Sequence, residues 1–538
     1  MRLRVLCSLC AAIAPSLGAI LHSTAELQAL NMAFDFIIVG GGTAGNVVAN
    51  RLSENPNHSV LVLEAGGSNE NLINLEAPLL AVLATPNTPT DWNYTTTPQP
   101  GLGGRSIAYP RGFVLGGSSS VNYLVYTRGS SSDFDRFASL VADPRWSWDA
   151  LAPYRRRNEN FTAPVDGHNT TGQFDPRVQS TSGINSVSLN GFPTEVDGFV
   201  FGLVKERGDK EFPFNLDMNS GDPLGVGYVQ LTSLNGARSS SATSYLAPKF
   251  IARPNLQVLL NARVTRVLQT SNKDFRTVEF RDATGTAAPS PSPPKKNSSS
   301  PPAPSTHPAI LLHSGIGNST TLASLGITPL VNLPSVGQNL TDHSLMTLAW
   351  GVNTINGTFD AIFQNTPPGT LDAAVDEWKT TSPHRGQLVN DLISEIGWLR
   401  LPPNSSIFSM NSNTDPAAGP NSPHYELLFS NGLIGAPPAP GTYLGMHVAV
   451  VSPTSRGSIT LNPTTGNLNP LAPPLINPNL LGTPVDRAIM RFAVRSAVTF
   501  VSRASTIPPF GEYMSRNPHP YHTTHGRAQR SRMVARRL

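Results

Sequence analysis

The chain has 538 residues with 14% charged side chains, 45 glycines and 49 prolines. That mix suits a large, loop-rich globular enzyme better than a coiled coil or a helical bundle. The formal charge of +4 misleads: residues 516–538 hold six arginines and no acid, without which the balance is −2, so nothing in the body points to nucleic acid as a partner.

Residues 1–21 read as a secretory signal peptide. Arg2 and Arg4 precede a largely apolar run, and the small residues Gly18 and Ala19 stand where cleavage would occur. The run contains Ser8, Pro15 and Ser16 and is short for a membrane span; no later segment reads as transmembrane. Both cysteines, Cys7 and Cys10, fall inside it. The mature chain is therefore expected to lack thiols and disulfides, which excludes cysteine catalysis and cysteine metal sites. Glycosylation sequons at Asn93, Asn160, Asn169, Asn318, Asn339, Asn356 and Asn404 fit a secreted glycoprotein.

Residues 34–67 carry a βαβ pattern. Phe36, Ile37, Ile38 and Val39 predict a buried strand. Gly40, Gly42 and Gly45 form a G-x-G-x-x-G turn, 46–52 continues as a helix, and Val60 to Leu63 predicts a second strand ending on Glu64. The glycines permit a tight turn and close backbone approach, and the helix N-terminus offers free N–H groups to a pyrophosphate. Glu64 stands near the separation expected of an acid that binds ribose hydroxyls. A glycine-rich loop alone can be a simple turn; strand, glycines, helix, strand and acid together specify a Rossmann-type dinucleotide site.

Residues 105–135 hold a second small-residue loop. Gly112, Gly116 and Gly117 bracket a short apolar turn, followed by Ser118, Ser119 and Ser120, then Val121, Asn122 and Tyr123. Such a backbone can pass close to a flat ligand, although an ordinary glycine–serine surface loop has the same composition.

The runs DWNYTTTPQP (91–100), SIAYPRG (106–112), RSSSATSYL (238–246) and DPAAGPNSPH (415–424) complete a resemblance to the glucose–methanol–choline (GMC) oxidoreductases. The resemblance spans about 34–511 and is strongest to the fungal aryl-alcohol oxidase subgroup. It implies an α/β fold: a Rossmann-like FAD-binding domain and a discontinuous substrate domain built on a large antiparallel sheet, incomplete at the C-terminus. The FAD-binding domain would span 34–341, interrupted by a substrate-domain segment at 183–230 and an insert at 283–307. The substrate-binding domain would span 342–511, with a basic tail outside the family pattern at 512–538. Gly40, Gly42, Gly45 and Glu64 would hold the ADP half of FAD. Val114, Asn122, Tyr123, Leu124 and Val125 would lie along the flavin, and Val264 would meet the adenine region through its backbone. Tyr123 matches an aromatic residue near the substrate entrance in that subgroup; a tyrosine packed in the core is the other reading.

Local patterns fit this outline. Residues 256–267 alternate and predict paired strands or one bent strand. Residues 486–501 have apolar positions at helical spacing with no Gly or Pro inside.

Two stretches depart from the family. Residues 283–307 are Pro- and Ser-rich with almost no apolar side chains, so disorder is expected where the family has a strand of the sheet beneath FAD. The second family signature resumes at 307–317, matched at its end and not at its start. The tail lacks the family's expected apolar runs and the histidine that faces the flavin with its neighbouring histidine or asparagine. His519, His522 and His525 lie in that tail; imidazole can bind metal, but a basic tail that binds nothing specific is the expectation. No catalytic residue and no metal ligand is assigned. Of the other histidines, His343 reads as structural, His447 as a strand residue, and His313 and His424 have no acid–base partner visible in the sequence.

The resemblance implies an FAD-dependent oxidation of a primary aryl or allylic alcohol, with O₂ as acceptor, giving aldehyde and hydrogen peroxide. A monomer, a small-molecule alcohol partner and extracellular location go with it. Two alternatives stand beside it: a secreted FAD-binding protein without turnover, because the histidine pair is lacking, and a nicotinamide-dependent dehydrogenase using the Gly40 loop. The flavin-type segment 111–125 argues against the latter.

Overall fold

The computed structural model describes residues 18–271, 273–282, 307–353, 357–433, 437, 439–463 and 469–506, together with the backbone of Ala287–Ala288, Tyr521–Thr524 and Arg527–Gln529. Statements of absence below concern these residues.

Two sheets organise the chain. The first is parallel, in the order Ala19–Leu21, Leu256–Leu259, Val60–Leu63, Phe36–Val39. Val60, Leu61, Val62 and Leu63 are all buried, as a parallel strand covered on both faces requires. One face packs Ile38, Val60, Val62 and Val258 against Ala49 of the helix Thr43–Ser53 and against Ala242 and Leu246. The other packs Ile37, Leu61, Leu63 and Leu259 against Val278 and Phe280. Each such aliphatic side chain contributes about 1.5–3 kcal/mol on burial.

The second sheet is antiparallel with six strands, in the order Ile393–Leu399, Tyr425–Ser430, Thr442–Val450, Ser344–Val352, Tyr521–Thr524, Arg527–Gln529. The helix Pro484–Ala504 lies across one face, burying Ile489, Ala493, Ala497 and Phe500 against Trp350, Leu444, Met446 and Val448. Thr483 caps its start by accepting from the Asp486 N–H at 3.2 Å, and the buried Asp486 carboxylate accepts from the N–H groups of Thr454 and Ser455 at 2.7 and 3.0 Å. The opposite face packs Ile396 and Trp398 against Met218, Val229, Leu231 and Leu124, which brings residues 122–125 onto this sheet.

Several expectations meet this architecture. The helix expected at 46–52 starts earlier, at Thr43. Residues 256–267 form two strands, but in different sheets: Leu256–Leu259 is central in the parallel sheet, whereas Arg263–Ser271 forms a hairpin with Asp274–Arg281. Asn261, with φ of +56°, lies in the connection. Ala19–Leu21, read as the end of the leader, pairs in parallel with residues 257–259, and Leu21 is buried. Most of the 283–307 insert lies outside the described residues. Ala287–Ala288 pairs with the strand Asp274–Arg281, and His307 opens the helix His307–His313. Phe36–Val39 is the end of the parallel sheet among the described residues. His519 and His525 lie outside them. Tyr521–Thr524 is a strand rather than unpatterned tail, with His522 opposite Leu348; a short polar strand pairs through its backbone and leaves little hydrophobic signal. No described helix is long and apolar enough to cross a membrane.

Candidate cofactor site

Strand Phe36–Val39 ends at Gly40, whose φ of +90° turns the chain back toward the helix Thr43–Ser53. Gly42 stands at the N-cap of that helix and no side chain caps it, so the first-turn N–H groups are available to an anion. Gly45 lies behind the turn: a Cβ there would fall 2.0 Å from the Gly40 carbonyl oxygen.

The second loop lies directly on this turn. The Gly116 N–H donates to the Gly41 carbonyl at 2.7 Å, and a Cβ on Gly117 would fall 2.8 Å from the Gly42 Cα. Asn46, fully buried, donates through Nδ2 to the Gly41 carbonyl at 2.9 Å and to Ser241 Oγ at 3.1 Å. Ser119 Oγ accepts from the Ser241 N–H at 3.0 Å. Residues 40–46, 112–119 and 238–246, far apart in sequence, thus form one wall.

That wall borders a cleft whose lining includes Gly40, Gly42, Glu64, Gly112, Gly117 and Val264. Glu64 closes one end of its strand. Its Oε2 accepts from the Gly41 N–H at 2.8 Å and its Oε1 from the Gly66 N–H at 2.7 Å. Burial raises its pKa to about 7, opposed by those backbone donors. Val264 is 7% exposed at the start of the hairpin strand, beside a register shift. Val114 is buried with Leu75, Ala84 and Val121 and is not on the cleft wall.

Residues 122–125 stand elsewhere, over the antiparallel sheet. Asn122 is exposed. Its Oδ1 accepts from Arg238 Nη1 at 2.7 Å and from the Leu124 N–H at 3.2 Å. Tyr123 is 36% exposed; partial burial, and then the charge of Asp391, raise its pKa. Leu124 is fully buried with a φ of +56°, a conformation fixed by Thr232, whose N–H donates to the Leu124 carbonyl at 2.9 Å. Val125 bridges to Leu231.

Arg238 was not singled out by its sequence context, although it opens the RSSSATSYL run; the signal was a lone cation ahead of small hydroxyl residues. His424 gains the partner that the sequence did not reveal: its Nε2 lies 2.7 Å from Asp415 Oδ1 while Nδ1 accepts from the Leu401 N–H at 3.1 Å. Asp415 also pairs with Arg400. His447 is a strand residue as expected, 3% exposed, with Nδ1 2.8 Å from Thr347 Oγ1 and a pKa lowered to about 4 by burial. His313 lines the cleft. The ring of His343 is half-exposed and sits 3.8 Å from Glu426.

A family profile described as GMC oxidoreductase matches residues 34–345. The chain is 36% identical to Dehydrogenase eriK of Hericium erinaceus, covering 92% of this chain and 80% of that one. It is 37% identical to a pyranose dehydrogenase of Agaricus campestris, with 90% and 79% covered. The chain belongs to the GMC oxidoreductases. Among solved structures, this GMC oxidoreductase resembles a formate oxidase of Aspergillus oryzae RIB40 studied for its FAD modification, with a TM-score of 0.77, 26% identity, and 90% and 82% covered. A fungal aryl-alcohol oxidase shares the fold, at a TM-score of 0.73 and 21% identity, with 92% and 85% covered. It is accordingly an FAD-dependent oxidoreductase. The residues present fit that cofactor: an uncapped helix start, two glycine segments packed Cα to Cα, and a buried acid at the edge of the cleft.

Proposed function

We propose that this enzyme binds FAD with its ADP half in the cleft, using Gly40, Gly42, Gly45, Glu64 and Val264, and its flavin half along Val114, Asn122, Tyr123, Leu124 and Val125. Gly40 and Gly42 let the backbone approach the pyrophosphate, and the uncapped helix start meets its charge. Gly45 acts indirectly, by permitting the helix to close on Gly40. Val114 acts through its backbone, since its side chain is buried among Leu75, Ala84 and Val121.

The reaction we propose is oxidation of a primary aryl or allylic alcohol to the aldehyde, with O₂ reduced to hydrogen peroxide. Bound FAD would supply the hydride acceptor. The chain's own part is to orient the cofactor and to exclude water with Tyr123 and the buried Leu124; the hydroxyl proton needs an acceptor, and no described residue is assigned that role. His424 and His447 are buried, and His313 lines the cleft on the Glu64 side, so none of the three is assigned as the base. The observation that carries the reading is the bond from Gly116 N–H to Gly41 O, which joins the dinucleotide turn and the second loop into one cleft wall.

The pyranose dehydrogenase relatives favour a second reading: a sugar substrate and an electron acceptor other than O₂. Assays of the FAD-loaded chain separate the two. Peroxide released from an aryl alcohol supports the first; quinone reduction by an aldopyranose without peroxide supports the second. FAD uptake without reduction by either substrate supports a non-catalytic flavoprotein.

We further propose secretion. The sequons at Asn93, Asn169, Asn318, Asn339 and Asn404 fall at exposed positions, while Asn160 is partly buried; Asn356 lies outside the described residues. Glycan mapping of secreted protein tests this, and unmodified asparagines at all five exposed positions would contradict it.

A further inference from the structure

Arg238 is 6% exposed, far below what a guanidinium ordinarily tolerates. Burial lowers its pKa to about 10, opposed by the charge of Asp391. Its contacts form a fixed fork. Nε donates to the Leu75 carbonyl at 2.6 Å, and Nη1 donates to the Ser119 carbonyl at 3.2 Å and to Asn122 Oδ1 at 2.7 Å. Nη2 has no partner among the described residues. A buried cation of this kind is costly unless its position serves something.

What it serves is legible at Asn122. The amide oxygen of Asn122 is used twice on the protein side, by Arg238 and by the Leu124 N–H. An amide so held has no freedom to flip, because turning it would set its NH₂ group against two donors. Its Nδ2 makes no hydrogen bond among the described residues, and the side chain is exposed. The amide's two N–H donors are therefore left for a ligand, and its oxygen, by accepting from the Leu124 N–H, acts together with the Thr232 N–H on the Leu124 carbonyl to hold the turn that follows.

We propose that Arg238 is a positioning residue for the cofactor: it locks the Asn122 amide so that Nδ2 is presented as a hydrogen-bond donor to acceptor atoms of FAD. The proposal rests on the reading that residues 122–125 lie along the flavin half. Asp391 is near enough to influence the guanidinium, but burial raises its own pKa to about 8, opposed by the Leu392 N–H and the charge of Arg238. It is buried, with Oδ1 taken by the Leu392 N–H at 2.7 Å and Oδ2 unpartnered.

The test is FAD titration of the cofactor-free full-length chain, followed by quenching of FAD fluorescence, with thermal unfolding measured alongside. N122D keeps an acceptor for Arg238 and for Leu124 N–H but replaces the outward donors by an acceptor. It is expected to fold with an unfolding temperature no lower than the wild type's, since the new carboxylate faces the Arg238 guanidinium, and to bind FAD about tenfold more weakly or worse. R238K loses the fork and is expected to weaken FAD binding several-fold, an effect that shrinks below twofold in the N122D background, because both act through one amide. Wild-type affinity in N122D overturns the proposal, as does an undiminished R238K effect in the double variant. If R238K does not fold, R238Q, which also loses the fork, takes its place in the same cycle with N122D. Failure of the wild-type chain to bind FAD would instead overturn the reading of the site on which the proposal rests.

Discussion

Gly117 sits over Gly42 so closely that a Cβ on Gly117 would lie 2.8 Å from the Gly42 Cα, and Gly117 itself has a φ of +53°. The two glycines belong to segments some 75 residues apart in the chain, yet each needs the other to be small. G117A is expected to cost about 1–3 kcal/mol from the left-handed backbone alone, and to push apart the two segments that make up the cleft wall. Thermal unfolding and FAD content should fall together. An alanine variant with wild-type FAD content would show that the contact is not needed.

Glu64 makes the cofactor-free protein sensitive to pH. Its pKa is 4.5 when unperturbed and about 7 in the fold, so the folded state binds the proton more tightly. Its contribution to stability is fully present below pH 4.5 and is lost as pH rises toward and through 7. The unfolding temperature of the cofactor-free chain is expected to decline across that window, and E64Q to flatten the decline. Identical pH profiles for both proteins would remove Glu64 as the cause.

Arg128 and Glu159 form a buried ion pair, with side chains 7% and 0% exposed. Arg128 also donates to the carbonyls of Val178 and Asn219 at 3.2 and 3.0 Å, while Glu159 Oε1 accepts from the Ser180 N–H at 2.9 Å. R128A leaves a buried carboxylate without its cation, and about 3–5 kcal/mol of stability should be lost. Urea unfolding measures this; a change under 1 kcal/mol would contradict it.

His424 is assigned a structural role. H424A removes the acceptor of the Leu401 N–H and the partner of Asp415, at about 2–3 kcal/mol. FAD affinity per folded molecule should stay at the wild-type value. A variant that folds normally but binds FAD poorly would move His424 into the site.

The strand–glycine turn–helix–strand unit at 36–63 was legible because its signals are local. Apolar runs at Phe36–Val39 and Val60–Leu63, three glycines and a terminal acid all fall within 30 residues. The helix Pro484–Ala504 was legible over 486–501 for the same reason, by its helical period and the lack of Gly or Pro inside it; its Thr483 cap was not. What escaped depends on distance or on backbone. Nothing near Arg238 names Asn122, 116 positions away, and nothing near His424 marks Asp415 as its partner rather than a loop acid. Alternation across 256–267 reports strand but not which sheet each half joins, since neighbouring strands are chosen by tertiary packing. The strand Tyr521–Thr524 pairs through its main chain, to which a composition reading is blind.

Cofactor uptake tests the central claim most directly. Purified, cofactor-free protein mixed with FAD and passed through a desalting column should emerge yellow, with one FAD per chain and quenched flavin fluorescence. E64A should bind much less, having lost the carboxylate that Gly41 and Gly66 hold at the cleft edge. Protein that folds, emerges colourless and leaves all added FAD free in solution would contradict the account.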